Sequence, residues 1–337
     1  MRRLTLFLIL LVLAAACAGC GKKNSAEDTK GGDAPAAETP TPTEVPATPT
    51  PTPVPIHASI STKIPSPYQR YRVKDGGSIE EISYPTQDYL SGDGTTYEKP
   101  AFVYLPPNYD ASKKYNVLYL MHGIGGNERE WGMTGLTSMV KAIMDNLILY
   151  GDIEPFIVVT PNGRSYPDFA NTNGDSASFY VFGKELRNDL MPYIESHYAV
   201  YSDSDTTAVR DHRAMAGLSM GGMQTINIGM CECLDIISWF GAFSAAPTSY
   251  ESGKVAELIG SEPLAKYPVN YMYNICGKQD NIAYMSASTA AKLLPTRSDK
   301  ITDGENFMWM ECGGGHDFSI WNLGLYNFAQ LAFKKAE

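Results

Sequence analysis

Gly217, Ser219 and Gly221 form a G-x-S-x-G pentapeptide in a chain of 337 residues, and a serine held between glycines is a candidate nucleophile. By composition alone about one chain in ten of this length would contain such a pentapeptide, so its surroundings decide its meaning. The apolar stretch Ala214, Met215, Ala216 precedes it, and a helix-compatible stretch over residues 220–230 follows. Strand, tight turn and helix in that order expose a serine hydroxyl, and the flanking glycines follow from the lack of space in the turn. A hydroxyl attacks only when a base takes its proton, and the base needs a carboxylate to orient it. Of the five histidines, His57 lies in a Pro-rich stretch, His122 follows an early strand, His197 ends a helical pattern and His212 precedes the serine's strand. His316 follows a late apolar run through Gly313, Gly314 and Gly315, and is the expected base. Asp280 comes just after the apolar run 271–277 and is the expected acid. Asp303 and Glu305 precede their strand, and Asp317 adjoins the histidine too closely to reach its ring from the correct side.

Acyl transfer develops negative charge on an oxygen, and backbone N–H groups aimed at it contribute about 3 kcal/mol each in the transition state. Met220, directly after the nucleophile, is one expected donor. The other is Ile124, with Gly123 as the alternative, in the loop His122, Gly123, Ile124, Gly125, Gly126; His122 itself is expected to support that loop by hydrogen bonding. Trp131, Phe179 and Phe182 offer aromatic faces for an acyl pocket, of which Trp131 is the expected substrate contact. Cys231 and Cys233 lie two apart on a helical pattern and diverge, whereas Cys276 and Cys312 end candidate strands and could meet. No second close Cys or His pair accompanies them, so a zinc site is not expected, and the chemistry needs no metal or organic cofactor.

These residues need a scaffold that brings strand ends together. Alternating stretches at residues 79–82 and 102–105, broken by Gly92, Gly94, Pro106 and Pro107, suit antiparallel strands. Thereafter continuous apolar runs at residues 117–121, 156–160, 214–217, 239–243, 271–276 and 307–310 read as strands buried on both faces. Helical spacings separate several of them: Leu136, Met139, Val140, Ile143, Met144 and Leu147; then Phe182, Leu186, Leu190 and Ile194; and finally Trp321, Leu325, Phe328 and Leu331. Strands alternating with helices specify an α/β fold, a mostly parallel central sheet with helices on both faces and antiparallel strands at its N-terminal edge. Such sheets place their sites at the carboxyl ends of the strands. The order Ser219, Asp280, His316 is that of the α/β-hydrolase fold.

Residues 115–131 (YNVLYLMHGIGGNEREW), 217–225 (GLSMGGMQT) and 313–322 (GGGHDFSIWN) resemble the esterase D and feruloyl esterase group, carbohydrate esterase family one, over about residues 71–337. Weaker agreement lies at residues 105–109 and 185–198. The resemblance implies that the family's Ser, Asp and His fall on Ser219, Asp280 and His316. Its members include feruloyl, acetylxylan and siderophore esterases, formylglutathione hydrolases and mycolyltransferases, so it constrains the chemistry more than the substrate.

The ends of the chain and its charge bound the setting. Arg2 and Arg3 precede an apolar run over residues 4–16, too short to cross a bilayer but matching a secretory signal. Ala18, Gly19 and Cys20 resemble a bacterial lipobox, which implies lipidation of Cys20; Cys17 is the alternative. Residues 1–19 are therefore expected to be a signal peptide, 20–56 a Thr/Pro-rich linker with a lipidated N-terminal cysteine, and 57–337 the catalytic domain. Eight of the 22 prolines fall within residues 35–55, a composition unable to bury a core. With 27 Lys+Arg against 37 Asp+Glu, the net charge of −10 works against binding nucleic acid. The expectation is an exported, surface-held serine esterase that meets a membrane only through its lipid. It would release feruloyl groups from plant cell-wall polysaccharide, or act on a small aryl ester, through an acyl-serine. Alternatives are an acetylxylan esterase, an acyltransferase, or a carbohydrate-binding protein on an esterase fold.

Overall fold

The computed structural model describes residues 57–334. The signal sequence, Cys17, Cys20 and the Pro-rich linker lie outside the described residues. Eight strands form one sheet: β1 (Ser78–Gln87), β2 (Thr96–Leu105), β3 (Asn116–Met121), β4 (Phe156–Pro161), β5 (Arg213–Leu218), β6 (Trp239–Phe243), β7 (Tyr271–Gly277) and β8 (Phe307–Cys312). Their spatial order is β1-β2-β4-β3-β5-β6-β7-β8. The β1–β2 and β2–β4 pairs are antiparallel and the other pairs parallel, so β2 alone runs against the rest. This is the α/β-hydrolase architecture expected from the sequence, with the antiparallel pairing at the N-terminal edge.

The apolar runs form strands because both faces of the sheet are covered. In β3, Val117, Tyr119 and Met121 pack into one core while Leu118 and Leu120 pack into the other, as the two-residue period of a strand requires. Helices α1 (Met139–Leu149) and α7 (Phe318–Leu331) cover the second face with Ile143, Leu147, Leu325 and Phe328. The first face is covered by α2 (Phe182–Glu185), α3 (Met191–His197), α5 (Ser252–Gly260) and the segment following α4 (Met220–Gln224). Helix α6 (Tyr284–Leu293) packs Ala291 against the same face.

Three departures from the sequence reading have local causes. Leu136 lies before α1, 47% exposed, because Ser138 caps the helix by accepting from the Lys141 N–H. Phe182, Leu186, Leu190 and Ile194 are all buried as their spacing demands, yet residues Leu186–Leu190 widen into a π turn. Pro192 follows in the next turn; it has no N–H to donate and its ring crowds the carbonyl four residues earlier, which the wider turn relieves. Strand β8 is half-buried at its four central residues because it is the sheet's edge. The four cysteines within the described residues are free and buried. Cys276 pairs in register with Glu311, and Cys312 with Gly277, so the two thiols project to opposite faces and do not meet. Among the described residues no helix is long and apolar enough to cross a membrane.

Candidate active site

The turn after β5 builds the site. Ser219 takes φ 50° and ψ −113°, a conformation that costs a non-glycine residue free energy and persists only where its surroundings enforce it. The Ser219 N–H donates to Phe243 O and its carbonyl accepts from the Met223 and Ala246 N–H groups, locking the turn between β6 and α4. A Cβ at Gly217 would stand 2.6 Å from the Gly221 carbonyl carbon, and one at Gly221 would stand 2.5 Å from Met121 O. Both glycines are therefore demanded by the close approach of β3, β5 and α4.

Loops from two further strand ends reach the serine. His316 Nε2 lies 2.9 Å from Ser219 Oγ, and its Nδ1 lies 2.8 Å from Asp280 Oδ2. Asp280 Oδ1 accepts the N–H groups of Ile282 and Ala283 at 3.0 and 2.8 Å. Burial would raise the Asp280 carboxyl, but hydrogen bonds from Ala283 and His316 outweigh it and hold the group below the usual carboxylate range. An ionised acid fixes the histidine proton on Nδ1 and leaves Nε2 free to accept the serine proton. The Cys276 thiol donates to Asp280 Oδ2 at 3.5 Å, and burial pushes its pKa up to about 12, so it remains a neutral donor. Asp317 instead caps α7 through the Ser319 N–H, and Asp303 and Glu305 lie at the opposite, amino end of β8.

The loop after β3 passes beside the serine: a Cβ on Gly123 would stand 3.4 Å from the Ser219 Cβ. The Gly123 N–H is taken by Glu130 Oε2 at 2.6 Å, which removes it as an oxyanion donor. The Ile124 and Met220 N–H groups make no hydrogen bond among the described residues. His122 is buried, and its imidazole is pushed down to about 3 chiefly by burial, so it stays neutral. Its Nε2 accepts the Gly163 N–H, which leaves the proton on Nδ1 to donate to Gly123 O. Because C=O and N–H point oppositely across a trans peptide, anchoring Gly123 O turns the Ile124 N–H the other way. Arg164 grips the same loop from beneath, donating to Gly126 O and Ile124 O with its guanidinium 4.7 Å from the centre of the Phe179 ring. Gln224 ties α4 to the loops after β4 by donating to Gly163 O and Phe179 O.

Trp131 corrects the sequence reading. It is 3% exposed, packs edge-on against Phe243 and Phe318, and donates its indole N–H to Met121 O at 3.0 Å. At that exposure it offers a substrate almost no ring surface, and its main role is to anchor the strand end from which the Gly123 loop departs. Trp131→Ala should therefore cost about 3–5 kcal/mol of stability and lower kcat/KM for aromatic and acetyl esters by the same factor. Denaturant titration and parallel kinetics on both ester types check this, and a loss confined to the aromatic ester would contradict it. Phe179 and Phe182 are fully buried as well. Sequence reasoning missed Glu130, Arg164, Gln224 and Cys276. Of these only Arg164 carried a signal, as a charge three residues past the end of β4.

Residues 95–249 match the family described as "Putative esterase". The chain is 35% identical over 224 residues to endo-1,4-beta-xylanase Y of Acetivibrio thermocellus, covering 62% of this chain and 19% of that protein. It is 30% identical over 264 residues to an endo-1,4-beta-xylanase/feruloyl esterase of Xylanibacter ruminicola, covering 77% of this chain and 32% of that protein. The chain thus spans a third or less of the length of these curated relatives. Among solved structures, the feruloyl esterase module from Clostridium thermocellum complexed with sinapinate superposes with a TM-score of 0.67 at 26% identity, covering 84% of this chain and 96% of that one.

Proposed function

We infer that the domain belongs to the esterase family matched over residues 95–249 and is a serine hydrolase of carboxylic esters, and we propose that it releases hydroxycinnamoyl groups such as ferulate from plant cell-wall polysaccharide. The observation that carries the reading is the continuous hydrogen-bonded chain Ser219 Oγ, His316, Asp280 on a strained turn. Ser219 attacks the ester carbonyl as His316 Nε2 takes its proton, and the oxyanion meets the Ile124 and Met220 N–H groups. His316 then passes the proton to the departing alcohol oxygen, leaving an acyl-Ser219 that water cleaves by the same steps in reverse. Every proton move is made by these side chains and water.

The aromatic acyl group is favoured over acetyl because the 26%-identical module is complexed with sinapinate and one relative carries the feruloyl esterase name. The apolar side chains of Ile124, next to the Gly123 that passes beside Ser219, and of Ile282, two residues after Asp280, are 49% and 60% exposed and offer surface that acetyl is too small to use. Burying a phenyl ring there should favour methyl ferulate over methyl acetate by at least about tenfold in kcat/KM. The two esters share a leaving group, so the comparison isolates the acyl part; a preference for acetate would make the domain an acetyl esterase. The proposal also places the domain outside the cytoplasm, held at a membrane surface by lipid on Cys20.

A further inference from the structure

A groove runs alongside the loop that carries His316, bordered there by Gly313 and Phe318. Its first part, about 550 Å³, is lined by Tyr71, Glu130, Thr134, Thr137, Asn322 and the small exposed part of Trp131, and its second, about 280 Å³, shares Met139, Phe318 and Asn322 and adds Lys63 and Gly313. Glu130 is the residue whose carboxylate holds the Gly123 N–H, and Gly313 and Phe318 bracket His316 in sequence, so the groove borders both catalytic loops. One wall is the segment preceding β1. It is pinned: Tyr68 donates to Asp152 at 2.7 Å, and Arg72 donates to Asn146 at 2.8 Å and to Tyr150 at 3.1 Å. Tyr71 stands between those two anchors, 49% exposed. The Asn322 amide and the Thr134 and Thr137 hydroxyls make no hydrogen bond among the described residues.

We propose that this groove binds the saccharide chain that forms the alcohol part of the ester, with Tyr71 as a stacking platform and Asn322, Thr134 and Thr137 as its hydrogen-bonding partners. The proposal rests on the esterase reading above and deepens it. The side of the site is set by proton transfer: His316 Nε2 protonates the leaving oxygen, so the alcohol must lie against the histidine's own loop, which the groove borders at Gly313 and Phe318. The chemistry of the lining sets the class. A pyranose or furanose ring presents an apolar C–H face, which an exposed tyrosine ring matches, and a rim of hydroxyls, which amide and hydroxyl groups match. Apart from Glu130 at the catalytic end and Lys63 in the second part, the residues lining the groove are uncharged, which suits a saccharide held mainly by stacking and hydrogen bonds.

Binding and turnover test it separately. Ser219→Ala, which cannot turn the ester over, should bind an unesterified arabinoxylo-oligosaccharide by isothermal titration, and adding Tyr71→Ala or Asn322→Ala should weaken that affinity at least tenfold. In the Ser219 background, either groove variant should lower the ratio of kcat/KM for a feruloylated arabinoxylo-oligosaccharide to that for methyl ferulate at least tenfold, through KM. An unaltered ratio together with unaltered or absent oligosaccharide binding overturns the groove proposal. Binding that depends on Tyr71 in a protein that hydrolyses no ester overturns the esterase reading and leaves the groove standing. Thermal melting of each variant excludes unfolding as the cause.

Discussion

Ser219→Ala and His316→Ala should each lower kcat on methyl ferulate by about 10⁵-fold or more, and the double variant should be no slower than either. The reason is geometric. At 2.9 Å from His316 Nε2, the serine hydroxyl is a nucleophile only while that nitrogen accepts its proton, and the imidazole's later proton transfers require an acyl-Ser219 that forms only through this step. Removing either group removes the same step, so the losses cannot add. The residual rate should come from the Ile124 and Met220 N–H groups, which do not depend on the serine or histidine side chain. Single-turnover kinetics on purified variants, with melting temperatures to confirm folding, measure this. Losses that multiply in the double variant would mean that the two residues act in different steps.

Asp280→Asn is expected to cost about 10⁴-fold in kcat with little change in KM, and the structure explains which way the amide must turn. Oδ1 of the native acid accepts two backbone N–H groups, from Ile282 and Ala283. An amide nitrogen cannot occupy that position without facing two donors, so the asparagine oxygen stays there and its NH₂ faces His316 Nδ1. A donor at Nδ1 favours the tautomer with the proton on Nε2, where it blocks acceptance of the Ser219 proton. Asp280→Ala, which imposes no tautomer, should be less impaired than Asp280→Asn. The kcat order wild type, Asp280→Ala, Asp280→Asn checks the argument, and an asparagine variant close to wild type would remove Asp280 from the acid's role.

The sequence alone determined the features that depend on short spacing. Gly217 and Gly221 flank Ser219 because β5 doubles back into α4 against Met121 with no room for a Cβ, a constraint contained within five residues and one neighbouring strand. Six apolar runs specify parallel strands because a strand covered on both faces has no polar positions to alternate. From these two signals follow the fold and the strand ends that carry Ser219, Asp280 and His316. Tertiary structure alone decided what lies between elements. An aromatic residue in a loop reads the same in sequence whether it faces substrate or core, and only the approach of Phe243 and Phe318 from β6 and α7 commits Trp131 to the core. The one-residue stagger between β7 and β8 sends Cys276 beneath Asp280 and Cys312 to the other face, a register that no single strand's sequence contains. Glu130, seven residues on, and Arg164, about forty residues on, both hold the Gly123 loop through its backbone atoms, and backbone atoms leave no mark on residue type. Local period sets which way a side chain points, whereas its partner is chosen by the packing of distant segments.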